Sequence, residues 1–380
     1  MALIISGGFI EDAITQLREA YIRAILGHVQ IHRKGYYQKG GSKPFQYMIP
    51  SSQAVLQELA RFPQVKNLAP RLEFSGLLST GETSIAVIGQ GVDPERERHI
   101  STLFVMTEGS NLEVDDEFMV IVGTGLASAV GLKAGSPAVL LANTKAGAIN
   151  GLDAQVKGVF HTVHKAYDDR AVRVPLKMAQ KLLETQNVQT ITIIAHDTSQ
   201  TDELRSALEL HFKGRGLDLE AVAWHQMPDA DYLLKTIAYN RRLFLILNII
   251  IIISVVLSII NTMNMAVIER IGEIGTFMAI GYRPREVARL FLVEGAVMGL
   301  LGGVLGMAGG YVSARLISWI GIPMPTPPGT TVEWIARIEI VPEVFGLALA
   351  AAIATALAAS VMPAMKITRL EIGEALRRNV

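Results

Sequence analysis

The chain has 380 residues, 50% of them hydrophobic, with 35 basic and 35 acidic side chains and no cysteine. Zero formal net charge leaves no global field that would favour nucleic acid. The missing cysteines exclude disulfides, thiolate metal sites and cysteine nucleophiles. Mean hydropathy is +0.34, but the long apolar runs crowd the region beyond residue 240, while residues 10–235 read as ordinary water-soluble sequence.

Residues 1–8 are apolar, too short to span a bilayer, and carry no basic n-region, so they are not a signal peptide. A large domain placed outside the cell needs an export signal. Residues 1–8 are therefore read as the end of a first transmembrane helix whose beginning lies outside this sequence. The alternative is a three-span protein with its N-terminus outside.

Residues 9–240 read as a mixed α+β extracytoplasmic domain ending in stalk helices. Ile10, Ile14, Leu17, Tyr21 and Ile25 recur at helical spacing. Gly27 ends that pattern, and His28-Val29-Gln30-Ile31-His32 alternates at period two, which puts His28, Gln30 and His32 on one strand face. Without a third ligand nearby, the histidines are expected on a solvated face rather than at a metal. Residues 51–59 read as a capped helix. Strands are expected over 65–70, 71–76, 84–89, 118–122, 156–163, 171–174, 191–195 and 219–224, with helices over 178–184 and 203–212 and one opened by residues 123–127 and running through Ala129. Gly123-Thr124-Gly125-Leu126-Ala127 follows a strand and opens a helix, but it lacks the third glycine of a dinucleotide fingerprint, and no G-x-x-x-x-G-K-[ST] occurs. The acidic groups Asp115, Asp116, Glu117 and Asp168, Asp169 are expected to be solvated turns. No Gly-x-Ser-x-Gly or His-Glu-x-x-His appears, so nothing argues for an enzyme, a bound cofactor or a metal.

Residues 229–240 are expected to be helical and to run into Arg241-Arg242 and a first complete span over 243–266. Second and third spans are expected over 291–314 and 344–362, each long enough for a hydrocarbon core of roughly 30 Å. Arg270, Arg283, Arg285 and Arg289 lie between the first two spans, and Lys366, Arg369, Arg377 and Arg378 follow the third. The loop 321–342 holds only Arg337. This bias puts the 269–289 loop and the C-terminal tail in the cytoplasm, and the 321–342 loop and the large domain outside. Gly295, Gly299, Gly302, Gly303, Gly306 and Gly310 form a small-xxx-small ladder suited to close helix packing, with the partner helix unidentified. Glu294, near the cytoplasmic end of the second span, is expected to snorkel or cap.

Glu269-Arg270-Ile271-Gly272-Glu273-Ile274-Gly275, followed by Ala279-Ile280-Gly281, is a short charged, glycine-punctuated helix between two spans. Such a segment suits a connector that carries force. It resembles the coupling loop of FtsX-like and MacB-like ABC-transporter permeases. Tyr282-Arg283-Pro284-Arg285, the Glu294-Gly295 pair and Pro363-Ala364…Ile372-Gly373-Glu374-Ala375-Leu376-Arg377 extend the resemblance. The external part resembles the periplasmic core of MacB and of the lipoprotein-releasing permeases LolC and LolE, through residues 27–31, 123–127, 131–135 and 158–160.

The resemblance implies an FtsX-like domain over 241–380, four spans per subunit and a homo- or heterodimer with a second FtsX-like permease. It also implies a separate ABC ATPase that binds ATP and Mg beneath the coupling loop. A periplasmic adaptor or a lipoprotein carrier is a further implied partner. ATPase coupling would fall to Glu269, Arg270, Glu273, Ile274, Gly275, Gly281 and Arg283. Met278 departs from the basic residue the family often carries there, leaving that contact to Arg283 or Arg285, or absent. The implied function is mechanotransmission at the bacterial inner membrane, releasing or exporting lipoproteins or other amphiphiles. MacB-like efflux and signalling to cell-wall hydrolases are the alternatives.

Overall fold

The computed structural model of the chain describes residues 1–40, 43–50, 52–102, 104–324 and 334–367. It divides into two compact units: Met1–Thr15 with Thr236–Met324 and Ile335–Val380, and Gln16–Lys235 with Pro325–Trp334.

The elements of the chain up to residue 230 are, in order, α1 (Ala2–Tyr21), a π-helical turn (Ile22–Leu26), β1 (Val29–Arg33), α2 (Ser52–Leu59), β2 (Val65–Ser79), β3 (Ser84–Val92), α3 (Pro94–Glu97), β4 (Val105–Gly109), β5 (Met119–Gly123), α4 (Thr124–Val130), β6 (Pro137–Asn143), β7 (Ile149–His161), α5 (Lys165–Asp168), β8 (Ala171–Pro175), α6 (Leu176–Leu183), β9 (Thr190–Ala195), α7 (Thr201–Arg215) and β10 (Leu219–Ala223). The strands make one ten-stranded sheet, ordered β10-β1-β9-β2-β3-β8-β5-β7-β4, with β6 against β2 and β7. Two pairings, β3 with β8 and β5 with β7, are parallel. Two of the apolar clusters among the described residues pack helices onto this sheet. Val29, Ile31, Ile191 and Ile193 pack with Leu59 of α2 and Leu204, Leu208 and Phe212 of α7. Leu72, Val87, Val120, Leu140 and Val172 pack with Leu126 of α4 and Met178 and Leu182 of α6. The mixed α+β reading of this unit holds.

Three expectations need correction here. The stretch 65–76 is not two strands: β2 runs unbroken through Pro70. Pairing with β3 begins only at Arg71, so Pro70 lies where one side of the strand has no ladder to interrupt.

Next, His28 and His32 are buried, 2% and 1% exposed, rather than solvated. Groups from outside the strand cover this face: Thr198 lies against His28, and the Tyr36 and Tyr37 rings lie against His32. Their polarity is matched locally. Ala195 N–H donates to His28 Nδ1 at 3.2 Å, so Nε2 carries the proton and donates to Thr198 Oγ1 at 2.9 Å. The Thr198 hydroxyl in turn donates to the Glu19 carboxylate. His32 lies against Gln30 Oε1 (3.0 Å) and the Tyr37 hydroxyl (3.1 Å), with its ring stacked on Tyr36 at 4.5 Å. Burial pushes His28 down to about 4 and His32 down to about 3.

Finally, Asp168 is buried, while Asp169 pairs with Lys165 at 2.9 Å near the surface. Thr162 donates to the Asp168 carboxylate from N (3.0 Å) and Oγ1 (2.8 Å). Burial still raises Asp168 to about 6 against those bonds. In the other acidic group, Asp116 accepts from Lys157 Nζ at 2.8 Å.

The remaining elements are α8 (Asp231–Glu269), α9 (Ile271–Ala279), α10 (Pro284–Ile320), the short strands β11 (Ile322–Met324) and β12 (Trp334–Ala336), and α11 (Pro342–Ile367). Three of them, within Pro228–Glu269, Pro284–Ile320 and Pro342–Met365, are long and apolar enough to cross a membrane. The expected spans fall inside α8, α10 and α11. Residues 2–8 are the first turns of α1. The C-terminal motif 372–377 and the tail charges Arg369, Arg377 and Arg378 lie outside the described residues.

Candidate functional site

Helix α8 ends at Glu269, and a single residue, Arg270 (φ −101°, ψ 17°), breaks the path before α9 begins. The nine residues of α9 divide by helical period. Gly272, Ile274, Gly275 and Met278 are buried. Ile274 and Met278, one turn apart, pack on Met263 and Val267 of α8 and on Val287 and Phe291 of α10. Glycine at 272 and 275 keeps that face thin, so the backbone of α9 can lie close to its neighbours. Met278 belongs to this buried face and is turned inward.

The exit from α9 explains Gly281. Gly281 N–H reaches Met278 O at 3.1 Å, and Tyr282 N–H reaches Phe277 O at 3.1 Å. These are the two bonds of a Schellman motif, completed by the Phe277–Tyr282 ring contact at 5.7 Å. The motif needs a left-handed residue at its turn, and Gly281 has φ +109°. Helix α10 then starts with Pro284 at its first position, and the Glu286 carboxylate accepts from Arg283 N–H at 2.8 Å. The exit from α9 into α10 is therefore fixed by backbone chemistry.

The opposite face is open. Glu269, Arg270, Glu273, Gly281 and Arg283 are exposed. Between these charges stand Phe277 (43% exposed), Ile280 (72%) and Tyr282 (50%). Large apolar residues presented beside charges of both signs have the composition of a protein-docking surface. Sequence reasoning quoted Ile280 and Tyr282 without assigning them to this face. The signal was available, because Phe277 and Ile280 fall off the 274/278 stripe. Of the seven proposed coupling residues, Ile274 and Gly275 face inward and the other five face outward.

Glu294 of α10 has a charged partner. Its carboxylate pairs with the Arg270 guanidinium at 3.6 Å, tying the α8–α9 junction to α10.

The glycine ladder of α10 has two partners. A Cβ on Gly295 would collide with the Ser360 hydroxyl of α11; one on Gly299 would lie 2.7 Å from Ala356 Cβ and one on Gly303 2.7 Å from Leu349 Cδ1. On Gly310 it would lie 3.0 Å from Ile4 Cδ1 of α1, and on Gly306 3.2 Å from Met1 N. Gly302 meets nothing within 4 Å. Two polar ties join α1 to α8: Ser6 Oγ donates to Asn248 Oδ1 at 2.8 Å, and Glu11 pairs with Arg241 at 3.7 Å.

Residues 245–372 match the FtsX-like permease C-terminal family. The lipoprotein-releasing system transmembrane protein LolC of Xylella fastidiosa is 24% identical over 257 residues, covering 66% of this chain and 61% of that protein. LolE of Haemophilus influenzae is 24% identical over 337 residues, covering 84% of this chain and 79% of that protein. Among solved structures, the periplasmic region of MacB from Actinobacillus actinomycetemcomitans is similar at 15% identity and a TM-score of 0.40, covering 59% of this chain and 98% of that one. The chain thus spans about three-fifths of the LolC relative's length.

Proposed function

We propose, from the premise that this chain carries an FtsX-like permease domain over residues 245–372, that it is the membrane subunit of an ABC transporter. In this reading, ATP hydrolysis by a separate ATPase subunit, which holds the ATP and Mg, is felt through α9. The permease pairs with a second FtsX-like permease and does mechanical work on a lipoprotein or other amphiphile at the inner membrane. Similarity to LolC and LolE supports the lipoprotein side of this reading.

The observation that carries it is the two-faced geometry of α9. Its buried stripe is packed on the ends of α8 and α10. Its exposed stripe presents Glu273, Phe277 and Ile280 beside Arg283. A push on the exposed stripe has no soft element to absorb it, because the Schellman turn and the Arg270–Glu294 pair hold both ends.

Affinity purification of the membrane-extracted chain tests the reading. We expect an ABC ATPase to co-purify and its turnover to respond to the permease. Glu273→Arg with Ile280→Asp, both exposed, should abolish co-purification or stimulation without altering the thermal transition. A wild-type preparation without an ATPase sinks the reading. Recovery of a periplasmic adaptor would move the substrate class to efflux, and recovery of a cell-wall hydrolase would move the function to signalling.

A further inference from the structure

We propose that Arg71, Glu97 and Arg173 form a clasp that grips the π-helical end of α1 and carries displacement of that helix into the ten-stranded sheet. The transmission half of this inference rests on the force-coupled reading above; the grip does not.

The argument starts from the end of a helix. After Tyr21 the helix widens into the π turn Ile22–Leu26, closed by Gly27 N–H on Ile22 O at 2.8 Å, with Gly27 at φ +72°. Carbonyls in a last turn have no amide beyond them and carry the negative end of the helix dipole. Here two of them meet cations. Arg71 Nη1 donates to Ile25 O at 2.5 Å, and Arg173 Nη2 donates to Ala24 O at 3.3 Å. Both arginines come from the sheet, on β2 and β8, and both are buried, at 1% and 2% exposure.

Two buried guanidiniums against a partial negative charge leave an excess of positive charge. Glu97 supplies the counter-charge. It accepts from Arg71 Nη2 at 2.6 Å and Nε at 3.2 Å, and from Arg173 Nη1 at 3.3 Å. Ser101, one turn on, also donates to it, and Arg173 stacks over the Phe104 ring at 4.4 Å. Burial would raise the Glu97 carboxyl, but the two arginines and the hydrogen bonds hold it at about 2.

A π turn holds one extra residue and is frequent at functional places in helices. In this one, the carbonyls are bonded to side chains of strands rather than to the helix itself. Axial movement or rotation of α1 must therefore either break buried charge-assisted bonds or move β2 and β8. Breaking them exposes uncompensated charge in the interior, which is the expensive course. Moving the strands is the cheaper response, so the clasp converts helix movement into sheet movement.

The test uses the full chain with its co-purified ATPase in lipid nanodiscs. Arg71→Met with Glu97→Leu and Arg173→Met removes all three charges at similar volume, a change that often preserves folding. Hydrogen exchange of the amides at 22–27 should quicken by at least about tenfold in this variant, with β9 amides unchanged. ATPase stimulation should fall by at least about fivefold. Unchanged exchange at 22–27 in the folded variant overturns the grip. Faster exchange with full stimulation overturns the transmission. Should the triple variant not fold, Glu97→Gln carries the same two readouts. The coupling-face variant Glu273→Arg/Ile280→Asp separates the two readings: it should lose stimulation while exchange at 22–27 stays at the wild-type rate. If the wild type itself has no ATPase, the permease reading and the transmission fall together, and exchange alone decides the grip.

Discussion

Acidification should weaken the unit built on the ten-stranded sheet through His32, and the size of the effect follows from its burial. An imidazole that titrates at 6.5 in the unfolded chain and at about 3 when folded binds its proton more readily when unfolded. Stability is therefore full above about pH 6.5 and falls as the pH drops below it, down to the folded value. Between about pH 7.5 and pH 5 the loss from His32 is about 2 kcal/mol, because nearly all of this window lies above its folded value. His28, held at about 4, loses a similar amount. Asp168 works in the opposite direction. Its carboxyl is raised from 3.8 to about 6, so folding gains roughly 1–2 kcal/mol as the pH falls through that range. The total slope therefore mixes signs, and a difference measurement isolates the histidine. His32→Gln keeps an amide that can both donate and accept near Gln30, Tyr37 and Thr190 but does not titrate. Urea unfolding followed by Trp224 fluorescence, at about pH 7.5 and at about pH 5, gives the stability of both proteins. The gap between wild type and His32→Gln should shift by about 2 kcal/mol between the two pH values, in favour of the variant. A gap that does not change with pH would refute the idea that His32 is buried and neutral.

Other expectations follow from single contacts. Gly299→Leu should destabilise the α10–α11 packing by about 1–3 kcal/mol, whereas Gly302→Ala, which meets open space, should leave it unchanged; thermal unfolding in detergent compares them. Gly281→Ala forces a side chain into a left-handed turn and should lower stability by about 1 kcal/mol or more, with local loss of protection at Tyr282. Reversing both charges, Arg270→Glu with Glu294→Arg, should restore ATPase coupling that either single reversal weakens, and failure of the double variant would remove the pair from the coupling path. Glu97, held at about 2 against an ordinary 4.5, contributes stability that is complete above about pH 4.5 and is lost as the pH falls toward 2. Glu97→Gln should flatten acid unfolding in that window.

What could be read from the residues depended on whether a pattern was carried by one segment or by several. The spans and the ladder Gly295, Gly299, Gly303 are properties of single helices, and they stood out. The helices facing the glycines of α10 are supplied by residues as far apart as Ile4, against Gly310, and Ser360, against Gly295, so no local pattern names them. Strands β4 and β6 were missed because β4 is largely exposed, and β6, though its burial alternates, reads in sequence as an unbroken apolar run from Ala138 to Ala142 behind Pro137. The histidines of β1 misled for a related reason. Polar residues at period two look like a wet face, and only groups from outside the strand, Thr198, Tyr36 and Tyr37, cover it. In the 269–289 loop the charged residues were conspicuous. The inward turn of Ile274, Gly275 and Met278 became evident only with α8 and α10 alongside.

The glycine face of α10 also bears on how the chain is made. A glycine-rich helix is intrinsically weak, since each glycine gives up more backbone freedom than an alanine would. During synthesis α10 emerges when α1 already exists but α11 does not. The contact of Gly310 with Ile4 can therefore form at once, while Gly295, Gly299 and Gly303 must wait for Ser360, Ala356 and Leu349. For that interval, half of the seam of α10 faces lipid with no side chains of its own to fill it. The order of translation thus sets the order in which the helix acquires its neighbours, from the Gly310 end toward Gly295.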